Sequence, residues 1–241
     1  MKILIIRHAD PDYSIDSLTP QGRIEAELLS QKLCKMDIKA FYVSVLGRAK
    51  DTAEYTLKKL NRKAVECEWL KEFGVVIDKP NRKNSIPWDW LPKDWTDSEE
   101  FYSINDWYKH KAMADGKVID EYRRVTSELD NLLKSHGYEH NGRYFNAVNA
   151  NEDTIAFFCH FGVECVLLSH LLGISPMLLW HGFCAAPSSV TSIVTEEREK
   201  GIAYFRVSSF GDVSHLYAGG EEPSFAARFC ETYDNKDQRH D

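Results

Sequence analysis

With 241 residues, 43% of them hydrophobic and 28% charged, the chain has the composition of an ordinary globular protein with a sizeable core, outside the collagen, disordered and disulfide mini-protein classes. Lys and Arg total 30 against 37 Asp and Glu, a net charge of −7 that excludes a broad face tracking nucleic acid and leaves any anion to a local cluster of cations. No apolar run reaches the roughly 18 residues of a membrane helix, and residues 3–6 are too short for a signal peptide, so no membrane partner and a cytoplasmic location are expected.

Lys2-Ile3-Leu4-Ile5-Ile6 reads as a parallel strand buried on both faces, and it ends in Arg7-His8. Leu18-Thr19-Pro20 then supplies a Thr N-cap and a Pro at the first helical position. Ile24, Leu28, Leu29 and Leu33 follow at helical spacing. Residues 40–44 form a second strand and 48–60 a second helix, with Ala49, Ala53, Thr56, Leu57 and Leu60 on one face. The 86–108 segment holds four of the six tryptophans, Trp88, Trp90, Trp95 and Trp107, and reads as an inserted cap whose aromatics form a core rather than a binding wall. A helix is expected over 115–135 and a hairpin turn at Asn141-Gly142. Residues 154–159 form a late strand ending in His160, with a helix over 163–172. A hairpin through Gly201 is expected to close the edge of the sheet.

Alternating strands and helices of this kind make a three-layer αβα sandwich with a mostly parallel sheet. One domain is expected over 1–241, with the cap at about 74–116 and a polar tail at about 219–241. The six cysteines contain no Cys-x-x-Cys pair and read as reduced, mostly buried thiols. No metal or cofactor is expected.

In an open α/β sheet, ligands sit beyond the carboxyl ends of the strands, where helix N-termini also point. Here that end collects Arg7, His8, Arg48 and His160, a set suited to a dianion such as a small-molecule phosphate ester.

The same residues carry a resemblance. Arg7-His8-Ala9-Asp10, Leu18-Thr19-x-x-Gly22, Ser44-x-x-x-Arg48-Ala49-x-x-Thr52-Ala53, Leu70-x-Glu72 and Cys159-His160-Phe161-Gly162 resemble, in order and spacing, the motifs of the histidine phosphatase (phosphoglycerate mutase-like) superfamily. The resemblance implies that His8 attacks phosphorus and becomes a phosphohistidine. It further implies that Arg7 and Arg48 clamp phosphate oxygens, that His160 donates to them, and that Glu72 protonates the leaving oxygen. Ser14 stands where a neutral phosphate contact is usual, with Tyr13 as the alternative. Ala9 and Phe161 stand where Gly is commonest. The implied activity is metal-independent phosphomonoester hydrolysis. The alternatives are mutase-type phosphoryl transfer and a catalytically silent phospho-ligand-binding regulator. His110, His136, His140, His170, His181, His215 and His240 read as structural, and Glu164 as a cap on the dipole of the helix after His160. Asp10, Glu68 and Glu164 are the other acids that could donate the proton.

Overall fold

The computed structural model describes residues 1–224, 232–235 and 237. In chain order the elements are β1 (Lys2–Arg7), the short β2 (Pro11–Asp12) and β3 (Ser17–Leu18), α1 (Pro20–Leu33), β4 (Ala40–Ser44), α2 (Gly47–Leu60) and β5 (Val65–Cys67). Then come α3 (Pro92–Thr96), α4 (Lys111–Asp115), α5 (Val118–Ser135), β6 (Tyr138–Asn141) and β7 (Tyr144–Ala147). The chain continues through β8 (Thr154–Cys159), α6 (Phe161–Leu172), α7 (Pro176–Gly182), β9 (Val190–Glu199), β10 (Ile202–Asp212) and α8 (Ser214–Ala218).

Eight strands form one sheet in the order β5-β4-β8-β1-β9-β10-β7-β6. β5, β4, β8 and β1 pair in parallel, and the remaining pairings are antiparallel. The expected αβα sandwich is therefore present, with parallel pairing confined to the half that carries the βα units. Alternation along β1 sends Ile3 and Ile5 to one face and Leu4 and Ile6 to the other, all four fully buried. α1 and α2 cover the second face through Leu29, Leu33, Ala49 and Ala53, while α5, α6 and α7 cover the first. Burying each of these branched side chains is worth about 1.5–3 kcal/mol before entropy is counted.

Three expectations change. The hairpin of β9 and β10 lies inside the sheet, because β6 and β7 extend pairing beyond it. The helix expected from 115 starts at Val118. Gly116 packs where a Cβ would meet Ile77 at 2.5 Å, and Lys117 takes a left-handed φ of 51°, so the backbone turns there. On α1 the buried face is Gly22, Glu25, Ala26, Leu29, Ser30 and Leu33, and Ile24 is 45% exposed. The rotation follows from Gly22: a Cβ there would stand 2.2 Å from the Asp10 carbonyl oxygen, so the helix presses its glycine against the loop after β1.

The aromatic insert is mostly core. Trp107, Phe101 and Met113 are fully buried, Trp90 nearly so, and Trp107 meets Trp180 of α7 edge-on at 5.9 Å. Cys67, Cys159 and Cys165 are buried as expected, while Cys230 and most of the expected tail lie outside the described residues. Among the described residues no helix is long and apolar enough to cross a membrane.

Candidate active site

β1, β4 and β8 run parallel as neighbours, so the loops after them open at the same end of the sheet. His8 follows β1 and is buried, and its ring centroid lies 5.1 Å from that of His160, which follows β8. The His8 Nδ1 lies 2.8 Å from the Ala9 carbonyl oxygen. A carbonyl only accepts, so Nδ1 carries the hydrogen and Nε2 keeps its lone pair. Burial, reinforced by Arg7, His160 and Arg48, holds the His8 pKa well below the ordinary imidazole value, which keeps the ring neutral and nucleophilic at neutral pH.

His160 is oriented by Ser44 at the end of β4, its Nε2 lying 2.8 Å from the Ser44 Oγ. That hydroxyl oxygen also accepts from Leu46 N–H at 3.2 Å. The other ring nitrogen, Nδ1, is buried without a protein hydrogen-bond partner. Burial, then Arg48 and Arg7, push the His160 pKa down to about 3.

The two arginines are anchored at one end each. Arg7 donates from one terminal nitrogen to the Ala185 carbonyl at 2.5 Å, and Arg48 donates to Asp16 Oδ1 at 2.6 Å. Nε is buried and unpartnered in both. Asp16 also accepts from Gly47 N–H at 2.7 Å, so one carboxylate serves Arg48 and the first turn of α2 together. The close approach requires Gly47, where a Cβ would stand 2.1 Å from the Asp16 carbonyl oxygen. Thr52 ties the two strand ends together: its hydroxyl accepts from Ala9 N–H at 2.9 Å and donates to the Arg48 carbonyl at 2.7 Å.

Glu72 is half-buried, and its Oε1 accepts from Phe73 N–H at 2.9 Å and from Val163 N–H at 3.2 Å. Val163 is in the first turn of α6, so Glu72 occupies that helix N-terminus. Burial raises its pKa against the lowering effect of these N–H groups and of Arg7 and Arg48. Gly162 makes the approach possible, since a Cβ there would lie 2.6 Å from Glu72 Oε1 and 2.7 Å from Trp88 Nε1. The glycine that matters after His160 is therefore the second residue, and Phe161 is tolerated in the first. Trp88 donates to the Phe73 carbonyl at 3.1 Å and meets Phe161 edge-on at 6.0 Å, so both aromatics flank Glu72. The buried Lys79 ammonium fixes this part of the insert by donating to the carbonyls of Trp88 and Asp89 at 2.7 and 2.6 Å.

Arg7, His8, Arg48, His160 and Glu72 thus share one site. Ser14 does not join them: it is exposed, and its hydroxyl and N–H both bond to Asp12 Oδ1 at 2.5 and 3.0 Å. Tyr13 lies nearer, with the Arg48 guanidinium 5.3 Å from its ring centroid. The capping role expected for Glu164 passes to Glu72. Glu164 is buried beneath the site without a hydrogen bond of good geometry, and burial pushes its pKa up to about 7, with Thr191 and Arg7 holding it down. Glu25 is the other fully buried carboxyl here. It accepts from Asp10 N–H at 2.9 Å and is likewise raised to about 7 by burial. His215 is buried, its Nε2 lies 3.1 Å from the Ser188 Oγ, and Ser188 N–H donates to the His8 carbonyl. Sequence reasoning missed Asp16 and the role of Gly162, and it favoured a core position for Trp88. Only the glycine just before Arg48 and the Gly-for-Gly shift after His160 signalled them.

Residues 3–207 match the model of the histidine phosphatase superfamily, branch 1. A probable phosphatase of Schizosaccharomyces pombe is 24% identical over 230 residues, covering 90% of this chain and 95% of that protein. A 2,3-bisphosphoglycerate-dependent phosphoglycerate mutase of Thermoplasma acidophilum is 31% identical over 97 residues, 36% of this chain and 48% of that one. Among solved structures, a mutant phosphoserine phosphatase of Entamoeba histolytica in complex with phosphoserine superposes with a TM-score of 0.56 at 19% identity, covering 89% of this chain and 98% of the other.

Proposed function

Since the chain belongs to the histidine phosphatase superfamily, branch 1, we propose that it hydrolyses a small phosphate monoester through a phosphohistidine on His8. The observation that carries this reading is the Nδ1 contact to the Ala9 carbonyl, which leaves Nε2 of a neutral, buried imidazole as the nucleophile beside two arginines. Nε2 attacks phosphorus as the ester P–O bond breaks. The unpartnered Nε–H groups of Arg7 and Arg48 and His160, proposed to carry its hydrogen on the unpartnered Nδ1, meet the charge on the transferring oxygens. Glu72 gives its proton to the leaving oxygen. Oε1 is occupied by two N–H groups, so that proton rides on Oε2. The Glu72 carboxylate then takes a proton from the water that attacks the phosphohistidine, which releases inorganic phosphate and restores both groups. Trp88, whose Nε1 lies beside Glu72 at Gly162, and Phe161, which it meets edge-on, are the aromatics proposed to meet the leaving group.

The retained, ordered site argues against a catalytically silent protein. Mutase transfer would require the product to be held and phosphorylated again, which a test for exchange of labelled product with the phosphoenzyme would detect. Two arginines supply the charge compensation in this mechanism, so turnover is expected to persist in excess chelator. The deciding experiment is acid-avoiding rapid quench with labelled substrate. Alkali-stable, acid-labile phosphate is expected on His8 and absent from His8→Ala, and label on a serine, cysteine or aspartate would overturn the assignment.

A further inference from the structure

We propose that Asp130, His140 and His170 form a binding site for a divalent zinc-class cation, separate from the phosphate site. The three come from α5, β6 and α6, and one donor atom from each lies within 4.8 Å of the others. The Asp130 carboxylate stands between the imidazoles, with Oδ1 2.7 Å from His170 Nε2 and Oδ2 3.3 Å from His140 Nδ1. Each ring therefore already turns one nitrogen toward a common point. A tetrahedral zinc ion bound at about 2.0–2.1 Å needs donors roughly 3.4 Å apart, a spacing that small rotamer adjustments supply here.

The donor set matches the ion. Two imidazoles and one carboxylate are the three-ligand set of zinc sites that keep a fourth position for water, and His140 is the exposed member that leaves this position open. The two rings are 4.5 Å apart between centroids, close enough to share one ion. The His140 ring also rests on Phe145 at 5.0 Å, which fixes its orientation from behind. His170 follows His160 by ten residues on α6, about 15 Å along the helix axis, so the cation would sit at the far end of that helix from the catalytic pair. A bound ion would clamp the edge hairpin of the sheet to α5 and α6. Sequence reading treats His140 and His170 as structural because the donors are separated by ten and thirty residues, with no local ligand spacing to reveal them.

The test uses the full-length, chelator-stripped chain in equilibrium dialysis against Zn²⁺, with bound metal quantified by mass spectrometry. One more zinc per chain is expected in the wild type than in His140→Ala and His170→Ala, and the comparison subtracts any zinc taken by cysteines. Zinc well above its dissociation constant should raise the melting temperature of the wild type by several degrees and leave His140→Ala unmoved. Co²⁺ should give visible d–d bands that vanish in the same variant. His140 is exposed, so its replacement should leave circular dichroism and metal-free p-nitrophenyl phosphate turnover unchanged. Equal zinc content in wild type and variants, or no bound zinc in either, would show that the cluster is only a pair of His–Asp hydrogen bonds and would overturn the proposal.

Discussion

Replacing Gly162 by alanine tests the placement of the proton donor without touching its chemistry. The new Cβ would stand 2.6 Å from Glu72 Oε1 and 2.7 Å from Trp88 Nε1, where ordinary contact begins at 3.4 Å. Something must move by roughly 0.8 Å. Neither neighbour is a loose end, because Glu72 Oε1 holds Phe73 and Val163 N–H groups and Trp88 Nε1 holds the Phe73 carbonyl. A displacement of that size at a reacting group costs on the order of 10²-fold in rate. The loss should depend on the leaving group. A departing alkoxide needs a proton, so kcat/KM for glycerol phosphate should fall by about 10²-fold, whereas p-nitrophenolate leaves unaided and should be slowed far less. Steady-state phosphate release on both esters measures the split. Glu72→Gln alone should slow the alkyl ester by about 10²–10⁴-fold, and adding Gly162→Ala to it should slow it no further, since both changes act through one carboxyl. Equal losses on the two esters, or additive losses in the double variant, would refute the placement of Glu72 as the acid.

Arg48→Ala should lower kcat/KM by about 10²–10³-fold on both esters, since it removes one preorganised charge from the phosphate oxygens, and near-normal kinetics would remove Arg48 from the site. Trp90→Ala should cost about 3–5 kcal/mol in urea unfolding because Trp90 is a buried core residue of the insert. Trp88→Ala should unfold less readily than that variant and instead raise KM for bulky esters. Glu164 gives a pH test with a definite sign. Its carboxyl is raised from 4.5 to about 7, so its contribution to stability is full below pH 4.5 and is lost as pH rises through 7, about 3 kcal/mol in all. Wild-type stability relative to Glu164→Gln should therefore fall by about that amount between acid and alkaline pH, and a pH-independent difference in urea midpoints would contradict the burial argument.

The strands and helices nearest the site could be read from local signals. A continuous apolar run bounded by Arg7 needs both faces covered, and the Thr19-Pro20 start accepts the Gly22 N–H at 3.0 Å as an N-cap should. The charged groups were legible through motif order instead: a histidine after a strand is more often structural, and Arg7, His8, Arg48, His160 and Glu72 stood out because they fall where the chain resembles the family's motifs. Sequence alone thus determined the βα framework and the end of the sheet at which Arg7, His8, Arg48 and His160 gather, while Glu72 joined them only through the resemblance. The tertiary structure decided what depends on contacts between distant segments. It turned Ser14 toward Asp12, gave the end of α6 to Glu72 in place of Glu164, carried β6 and β7 past the expected edge, and brought Asp130, His140 and His170 together. Periodicity and capping act over a few residues and leave a mark on the chain itself. Burial, and with it the pKa of Glu72 and the neutrality of His8, is set by what the rest of the chain packs against those groups, and no local pattern encodes it.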